Sequence, residues 1–361
     1  MSNTKIHKNY KVLAIDTSCD ETSVAVTVDD KIFSNVISSQ VDLHRKWGGV
    51  VPTIAKRAHK ENIDQAISEA IKRAQMKLEN IDAIGVTCGP GLAMALEIGL
   101  DKAKELAQKY KKPLIAINHM EGHLLSPLLK NSKGKGNEIQ KNTFPALGLL
   151  VSGGHTELIL IKKIGNYQKI GQTVDDAAGE AFDKFANMLD LGYPGGEIVE
   201  EFAKKGDKNK YILPRPMEKS RDLNYSFSGL KTAALYLIRD LKKKTHKDFL
   251  NKEIVYDLCA SFQKAVVDSL VIKLQKAIVE TKPNSVFCGG GVTSNLTLRK
   301  NIRKIAKSYN LPVYFPYLQK LNTDNAAMIG IASYYKAKRD EFWKNELKEL
   351  ERNPGLSFKI I

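Results

Sequence analysis

The stretch VLAIDTSCDETSVAVTV, residues 12–28, decides the fold, because an apolar run, a polar turn and a second apolar run form the pattern of a β-hairpin. The stretch LGLLVSGGHTELILI, residues 147–161, has the same form. In each half of the chain the hairpin is followed by strands that alternate with long amphipathic helices. This weak internal repeat predicts two α/β domains of related design, with a cleft between them in which a ligand would bind.

The domain boundaries are predicted from the segment between the two halves. Residues 131–143, NSKGKGNEIQKNT, are polar and contain glycine, as a linker should. We therefore place the first domain at 1–135 and the second at 144–324, and we expect a final helix from about Asn325 to pack back on the first domain. The remaining pattern predicts long helices at 54–78 and 254–281 and short buried strands at 114–117 and 285–288.

Composition restricts the class of protein. The 361 residues include 56 Lys and Arg against 40 Asp and Glu, a formal net charge of +16. A polyanionic partner such as nucleic acid would explain this charge, and the alternative is a lysine-rich surface that only solvates helices. The four cysteines lack C-x-x-C spacing, and neither a membrane span nor a signal-peptide apolar region is present. These features predict a cytoplasmic protein with no membrane partner.

Two histidines, His119 and His123, stand four residues apart after a short apolar run. Residues at this spacing share one helix face, so both imidazoles could point at one ion, although such pairs also occur by chance. Asn118 is predicted to cap this helix, with Glu121 as the second half of a capping box. Asp324 is either another helix cap or the carboxylate that completes a metal site. Two imidazoles and one carboxylate with open positions suit Fe(II) or Zn(II).

Three polar or glycine-rich turns follow apolar strands, at 17–22, 152–156 and 289–295. Glycine allows backbone N–H groups to approach a phosphate or a sugar closely, although it also makes ordinary turns. Three such turns in one chain favour a nucleotide site.

An acidic segment contains Asp175, Asp176, Glu180 and Asp183. Asp183 comes seven residues after Asp176, so both could share a helix face. The segment is either an acidic helix N-terminus, which the macrodipole favours, or a source of carboxylates for ribose hydroxyls. In the second case residues 193–196, YPGG, would form a backbone platform beside it.

Motifs from Ile15 to about Ile331 resemble, in order, the universal family that synthesises threonylcarbamoyladenosine in tRNA, in its bacterial and organellar branch. The family was formerly labelled a glycoprotease. The motifs that carry the resemblance are IDTSCDET, WGGVVPTIAKRAH, GPGL, NHMEGHLLSP, LLVSGGHTEL, DDAAGEAFDK, YPGG, PRPM, SFSGLKTA, GGGVTSNLTLR and TDNAAMIG.

The resemblance implies a two-domain fold like that of actin, Hsp70 and sugar kinases, in which each domain is an RNase H-like mixed sheet flanked by helices. It implies transfer of a threonylcarbamoyl group from threonylcarbamoyl-adenylate to the exocyclic amine of adenosine 37 in tRNAs that read codons beginning with A, with release of AMP. It also implies a paralogous dimerisation subunit of the same fold and a P-loop ATPase subunit.

The resemblance also assigns site residues by motif. The implied metal ligands are His119, His123 and Asp324, with Fe(II) as the expected ion and Zn(II) as the alternative. The implied contacts to the adenine nucleotide substrate are Leu150, Val151, Ser152, Gly153, Gly154, Asp183, Gly196, Glu200 and Asn295. The chain departs from the family pattern at Glu200, where many relatives have Asp, and at Asp16, which replaces the usual Glu. Residues 93–97, which include Met94 and Glu97, and the C-terminal stretch 351–361 also depart from it.

The sequence does not identify a general base. His155 and Asp20 are candidates, although residues of these types more often have a structural role.

Three other functions compete with the transferase. A small-molecule kinase of the same fold would have no use for the histidine pair, and a nucleotide-dependent chaperone would bind peptides. A metalloprotease would need a glutamate directly after the first histidine, whereas Glu121 comes two residues after His119.

Overall fold

A computed structural model describes residues 9–245 and 250–358, so residues 1–8 of the predicted first domain lie outside the described residues. Within the described residues, the chain forms two mixed β-sheets. The strands of the first sheet are β1 (Lys11–Asp16), β2 (Glu21–Val28), β3 (Lys31–Ser39), β4 (Ala83–Gly89), β5 (Leu114–Asn118) and β6 (Lys130–Asn131). The strands of the second sheet are β7 (Ala146–Val151), β8 (Thr156–Lys163), β9 (Asn166–Gln172), β10 (Ser285–Gly289) and β11 (Val313–Tyr314).

The two sheets share the topology of five strands, and the first sheet carries β6 as a sixth strand at its edge. The first has the order β5-β4-β1-β2-β3-β6, in which β1, β2 and β3 form an antiparallel meander and β4 and β5 run parallel to β1. The second has the order β11-β10-β7-β8-β9, with the same directions at corresponding strands. The two predicted hairpins are β1–β2 and β7–β8, and the predicted α/β class is confirmed. The domain boundaries at 135 and 144 stay a prediction.

Ten α-helices lie within the described residues. They are α1 (Val41–His44), α2 (Pro52–Arg73), α3 (Ala93–Tyr110), α4 (His119–Leu125), α5 (Ala178–Met188), α6 (Gly195–Ala203), α7 (Ser228–Thr245), α8 (Lys252–Thr281), α9 (Leu296–Ser308) and α10 (Ala326–Lys338). In this part of the chain, none of the helices combines the length and the apolar character that a membrane span requires.

Alternation along the strands places helices on both faces of each sheet. Leu13 and Ile15 pack against α2 and α3, whereas Val12 and Ala14 face α10 on the other side of the first sheet. In the second sheet Leu149 packs in a cluster with α5, α7 and α8. Its neighbour Leu150 joins α4 and α10 in the cluster that lies between the sheets. Helices α4 and α10 therefore form a central layer that touches both sheets.

Predicted helix ends differ from the observed ones where the backbone leaves the helical region. The helix predicted at 54–78 is α2, which ends at Arg73 because Gln75 has φ +54° and the chain turns there. The helix predicted at 254–281 is α8, which begins two residues earlier, after the cap Asn251. The strands predicted at 114–117 and 285–288 are β5 and β10, each one residue longer.

We predict that Gly85→Ala destabilises the protein, because a Cβ at Gly85 in β4 would collide with the Ser333 side chain of α10. Overpacking of this kind costs about 1–3 kcal/mol. The measurement is the free energy of unfolding in urea. The matched control is Gly355→Ala, whose added Cβ would have no atom within 4 Å. Equal stability of the two variants would contradict the packing of α10 on the first sheet.

Candidate metal centre

The histidine pair lies at the start of α4, directly after β5. Asn118 caps this helix as predicted, because its side-chain Oδ1 accepts from the backbone N–H groups of Met120 at 2.8 Å and Glu121 at 3.4 Å. This cap begins the helix at His119, so His123 follows one turn later on the same face. The two imidazole rings are 4.7 Å apart and nearly perpendicular. The helix start therefore brings both rings to one point.

Asp324 reaches this point from the loop before α10. Its Oδ1 lies 3.0 Å from His123 Nε2 and 3.3 Å from His119 Nε2. Asp324 is not the helix cap, because Asn325 occupies that position and accepts from the backbone N–H of Met328. The Asp324 carboxylate therefore does not cap α10 and instead lies against the two histidines.

The three side chains fit a divalent metal ion. One ligand atom from each of His119, His123 and Asp324 lies within 4.8 Å of the other two. Metal–ligand bonds of about 2.1 Å in a tetrahedral or octahedral shell place neighbouring ligand atoms about 3.0–3.4 Å apart, and the measured separations to Asp324 Oδ1 are 3.0 and 3.3 Å. The donor set is that of transition-metal sites with open positions.

The protonation of the three groups is tightly coupled. Burial lowers the pKa of His123. Burial acts in the same direction on His119, but Asp324 and Asp16 together raise the pKa of that imidazole well above its usual value. Burial would raise the pKa of Asp324, and the two imidazoles instead hold it well below its usual range. The carboxylate is therefore ionised and available as a ligand.

Asp16, at the end of β1, supports the first histidine. It is 1% exposed, and its Oδ2 lies 3.3 Å from His119 Nδ1. Its other oxygen accepts from the backbone N–H of Ser18 at 3.2 Å. A histidine that binds metal through Nε2 usually directs its other nitrogen at a carboxylate, which fixes the ring. The Asp at this position therefore still reaches the imidazole, and sequence reasoning missed this role.

Glu121 has a role different from the predicted one. Its side chain does not complete a capping box but is buried on the opposite side of α4, where Oε1 accepts from the hydroxyl of Tyr167 at 3.1 Å. Lys336 Nζ lies 3.9 Å and Arg339 Nη2 3.7 Å from its carboxylate. Burial raises the pKa of Glu121, and these two cations oppose that effect. Glu121 thus ties the histidine helix to β9 and α10.

The second and third glycine-rich turns lie next to this helix. A Cβ on Gly289 would collide with the carbonyl of His123, and a Cβ on Gly290, which has φ +93°, would collide with the carbonyl of Val151. Leu150 and Val151 are buried at the end of β7, and Ser152 follows them. Gly153 and Gly154 are exposed, and a Cβ on either would have no atom within 4 Å. The space beside both glycines is therefore open to a ligand, although the Gly153 carbonyl already accepts from the backbone N–H of Glu180 at 3.0 Å.

Asp183 lies on α5 and faces the start of α6. Its Oδ1 accepts from the backbone N–H of Gly195 at 2.7 Å, and burial raises its pKa to about 6 although the N–H groups of Gly195 and Gly196 oppose this. The YPGG segment therefore lies beside Asp183, as predicted. Space around Gly196 is open, with no atom within 4 Å of a built Cβ.

The shared helix face predicted for Asp176 and Asp183 is wrong. Helix α5 begins at Ala178, because Ala177 is extended, so Asp176 precedes the helix. Asp176 pairs instead with Lys184 at 2.7 Å and Lys231 at 2.5 Å. Asp175 accepts from the hydroxyls of Ser226 and Ser228 and from the backbone N–H of Phe227, so it holds the start of α7. Both carboxylates are engaged within the protein.

Glu200 and Asn295 meet at the start of α9. Glu200 Oε1 accepts from the backbone N–H of Leu296 at 2.7 Å. Asn295 caps the same helix through Oδ1 and donates from Nδ2 to Gln263 Oε1 at 2.7 Å. Both side chains therefore hold the turn that follows β10, and the longer Glu at position 200 reaches the backbone of this turn.

The two candidate bases lie in the first turns of different sheets, Asp20 between β1 and β2 and His155 between β7 and β8. Burial lowers the pKa of His155 to about 4, with further lowering by His119 and His123, so its imidazole is neutral at physiological pH. Asp20, in the turn between β1 and β2, lies close enough to Asp183 and Tyr193 to raise the pKa of both. The first turn of one sheet thus faces the α5–α6 region of the other.

Solved structures similar to this one share its fold. The crystal structure of HypF from T. kodakarensis matches with a TM-score of 0.62 at 15% identity, over 93% of this chain and 49% of that one. Component A of (R)-2-hydroxyglutaryl-CoA dehydratase from Acidaminococcus fermentans matches with a TM-score of 0.50 at 14% identity, over 91% of this chain and 99% of that one. The predicted actin-, Hsp70- and sugar-kinase-like fold is confirmed.

Curated relatives are much more similar in sequence. The tRNA N6-adenosine threonylcarbamoyltransferase of Thermosipho africanus is 47% identical over 328 residues, which are 91% of this chain and 94% of that one. The protein of the same name from Protochlamydia amoebophila is 45% identical over 350 residues, or 96% and 99%. A family model described as TsaD, tRNA N6-adenosine threonylcarbamoyltransferase, matches residues 31–331. The chain therefore belongs to the TsaD family of tRNA N6-adenosine threonylcarbamoyltransferases.

Proposed function

We propose that this protein transfers the threonylcarbamoyl group from threonylcarbamoyl-adenylate to the exocyclic amine of adenosine 37 in tRNAs that read codons beginning with A. The observation that carries the proposal is the convergence of His119, His123 and Asp324 beside the open glycine turn at 152–156, in a chain of this family. A kinase would have no use for the histidine pair. The proposal predicts that the purified protein modifies tRNA and releases AMP.

The metal ligands are His119, His123 and Asp324, and the ion is Fe(II), with Zn(II) as the alternative. Two imidazoles and a carboxylate with open positions are the donor set that non-haem Fe(II) prefers. When bound, a divalent ion supplies Lewis acidity that polarises a carbonyl oxygen. Asp16 holds the His119 ring through Nδ1, and Glu121 holds the helix that carries both rings.

The adenylate binds, in this proposal, at Leu150–Gly154, Asp183, Gly196, Glu200 and Asn295. Gly153 and Gly154 leave open space for the nucleotide. The first backbone N–H groups of α5 already donate to Thr156 Oγ1 and to the carbonyls of Ser152 and Gly153, so they hold the glycine turn in place. Asp183 accepts from Gly195 and sets the YPGG segment at the edge of the site. Glu200 and Asn295 act more indirectly, because their polar atoms already hold the turn at 289–295.

The protein's main task in this reaction is to position the two substrates, because the adenylate is already chemically activated. The mixed anhydride already carries AMP as a good leaving group, so binding both substrates in line supplies much of the rate. The amine nitrogen of adenine attacks the carbonyl carbon, the bond to the phosphate oxygen breaks, and the amine loses a proton. His155 is neutral at physiological pH and lies near the metal ligands, so it can accept a hydrogen bond there.

The proposed partners follow from the substrate and the family. The net charge of +16 suits tRNA, whose backbone contacts dominate affinity. A paralogous subunit of the same fold and a P-loop ATPase subunit complete the proposed assembly, and a separate enzyme supplies the adenylate. We place the reaction in the cytoplasm.

The test of this function is mass spectrometry of tRNA nucleosides after incubation with threonylcarbamoyl-adenylate and the partner subunits. We expect threonylcarbamoyladenosine together with an equal amount of AMP. Incubation with ATP and small metabolites serves as the control for the rival kinase. Phosphoryl transfer without modified tRNA would contradict the proposal.

We predict that Asp324→Asn lowers bound metal to a tenth of the wild-type content or less, and lowers transfer in parallel. The amide removes the charge that faces both imidazoles, and even changes outside the ligand set weaken metal binding about 10–100-fold. Metal content is measured by plasma mass spectrometry on protein purified with added Fe(II) or Zn(II). Asp340→Asn makes the same chemical change at an exposed position and should keep wild-type metal. Wild-type metal content in Asp324→Asn would contradict the ligand assignment.

We predict that Asp16→Ala weakens metal binding about 10–100-fold, because it removes the carboxylate that orients His119 through Nδ1. Asp16→Glu restores the residue usual in the family and should retain most of the affinity. The measurement is a competition titration of each variant against a metal chelator. The account of Asp16 fails if the alanine variant binds the ion as tightly as the glutamate variant.

A further inference from the structure

An exposed tryptophan ends the short 3-10 helix that follows α1. Trp47 is 60% exposed, the highest exposure of any aromatic side chain in the described residues. It lies in the segment 45–51, which we call the Trp47 loop. The ammonium of Lys46 lies 5.4 Å from the centroid of its ring, so positive charge accompanies the indole. The indole therefore offers a large flat surface with a cation beside it, on which another ring could stack.

A buried chain of hydrogen bonds anchors the Trp47 loop to the first sheet. The backbone N–H of Val51 donates to His44 Nδ1 at 3.3 Å, so His44 carries its proton on Nε2, which lies 3.3 Å from Gln40 Oε1. Gln40 Nε2 lies 3.2 Å from His59 Nδ1, and His59 Nε2 lies 3.0 Å from the carbonyl of Cys19. Gln40, His44 and His59 are each at most 1% exposed. The loop is thus fixed to the turn between β1 and β2.

The Trp47 loop also faces the second sheet's helices. A Cβ built on Gly48 would lie 3.9 Å from Asn187 Oδ1 on α5. Asn187 comes one turn after Asp183, so the two share a helix face. The backbone N–H of Gln40 donates to the carbonyl of Asp20 at 2.9 Å. From there α1 and a short 3-10 helix lead directly to Trp47, so few residues separate the ring from this turn.

We propose that Trp47 is a stacking platform for a nucleobase of tRNA next to the target adenosine, with Lys46 attracting the adjoining phosphate. This inference rests on the proposed function. Bases of single-stranded RNA loops are recognised by stacking on aromatic rings. The lysine beside the ring, the net charge of +16 and the rigid mount on the turn between β1 and β2 favour RNA over a protein partner.

The first experiment compares tRNA binding and transfer in the reconstituted system that modifies tRNA. Loss of one stacked base weakens binding about 5- to 150-fold, so Trp47→Ala should raise the KM for tRNA at least fivefold and leave the KM for the adenylate unchanged. Trp47→Tyr should restore most of the loss. Tyr236→Ala is the matched control, because Tyr236 is 59% exposed on α7 and should change nothing.

The second experiment uses Trp47 as its own reporter. The chain has two tryptophans, so Trp343→Phe leaves Trp47 as the sole source of indole fluorescence. An anticodon stem-loop RNA should quench this fluorescence saturably, with a midpoint close to its Kd. Absence of quenching, together with wild-type tRNA kinetics in Trp47→Ala, would overturn the proposal.

Three other outcomes would also refute the proposed role of Trp47. Loss of subunit association in Trp47→Ala with unchanged tRNA kinetics would assign the ring to a protein contact and overturn the proposal. A wild-type system that neither binds nor modifies tRNA would refute the proposed function and the role of Trp47 together. An active wild type with an unaffected Trp47→Ala would refute the role of Trp47 alone.

Discussion

The contact of one carboxylate oxygen with two imidazoles is the constraint on which the rest of the site depends. Asp324 Oδ1 lies within 3.3 Å of both Nε2 atoms, although Asp324 and His123 are 201 positions apart in the chain. The contact forms only when α4 and the start of α10 meet in the layer between the sheets. Burying three ionisable groups is costly unless they compensate one another. The fold therefore places two buried imidazoles and the carboxylate that compensates them at the point where both halves of the chain meet.

Two supports hold this cluster from opposite sides of α4. On one side Asp16, from β1, faces His119 Nδ1. On the other side Glu121 accepts from Tyr167 and lies near Lys336 and Arg339, so β9 and α10 are tied to the same helix. Asp16 orients the His119 ring, and the Glu121 contacts fix the helix that carries both rings. A metal site needs such supports, because its ligands must hold their geometry before the ion binds.

The sequence predicted features that depend on local pattern. Alternating and apolar runs located the hairpins and the short strands, and the spacing of His119 and His123 placed them on one helix face. Local rules failed at Glu121 and Asp176, because burial against α10 and pairing with Lys231 outweigh capping and helix propensity. No spacing rule could link Asp324 to the histidines or reveal the support by Asp16, since both depend on how α10 and β1 pack. The motif resemblance supplied the ligand set that spacing could not.

Anomalous diffraction from crystals grown with Fe(II), collected on both sides of the iron absorption edge, tests the central claim most directly. The account predicts one strong peak about 2.0–2.2 Å from His119 Nε2, His123 Nε2 and an oxygen of Asp324. A peak elsewhere, or none at this position in protein that transfers threonylcarbamoyl groups to tRNA, would contradict it.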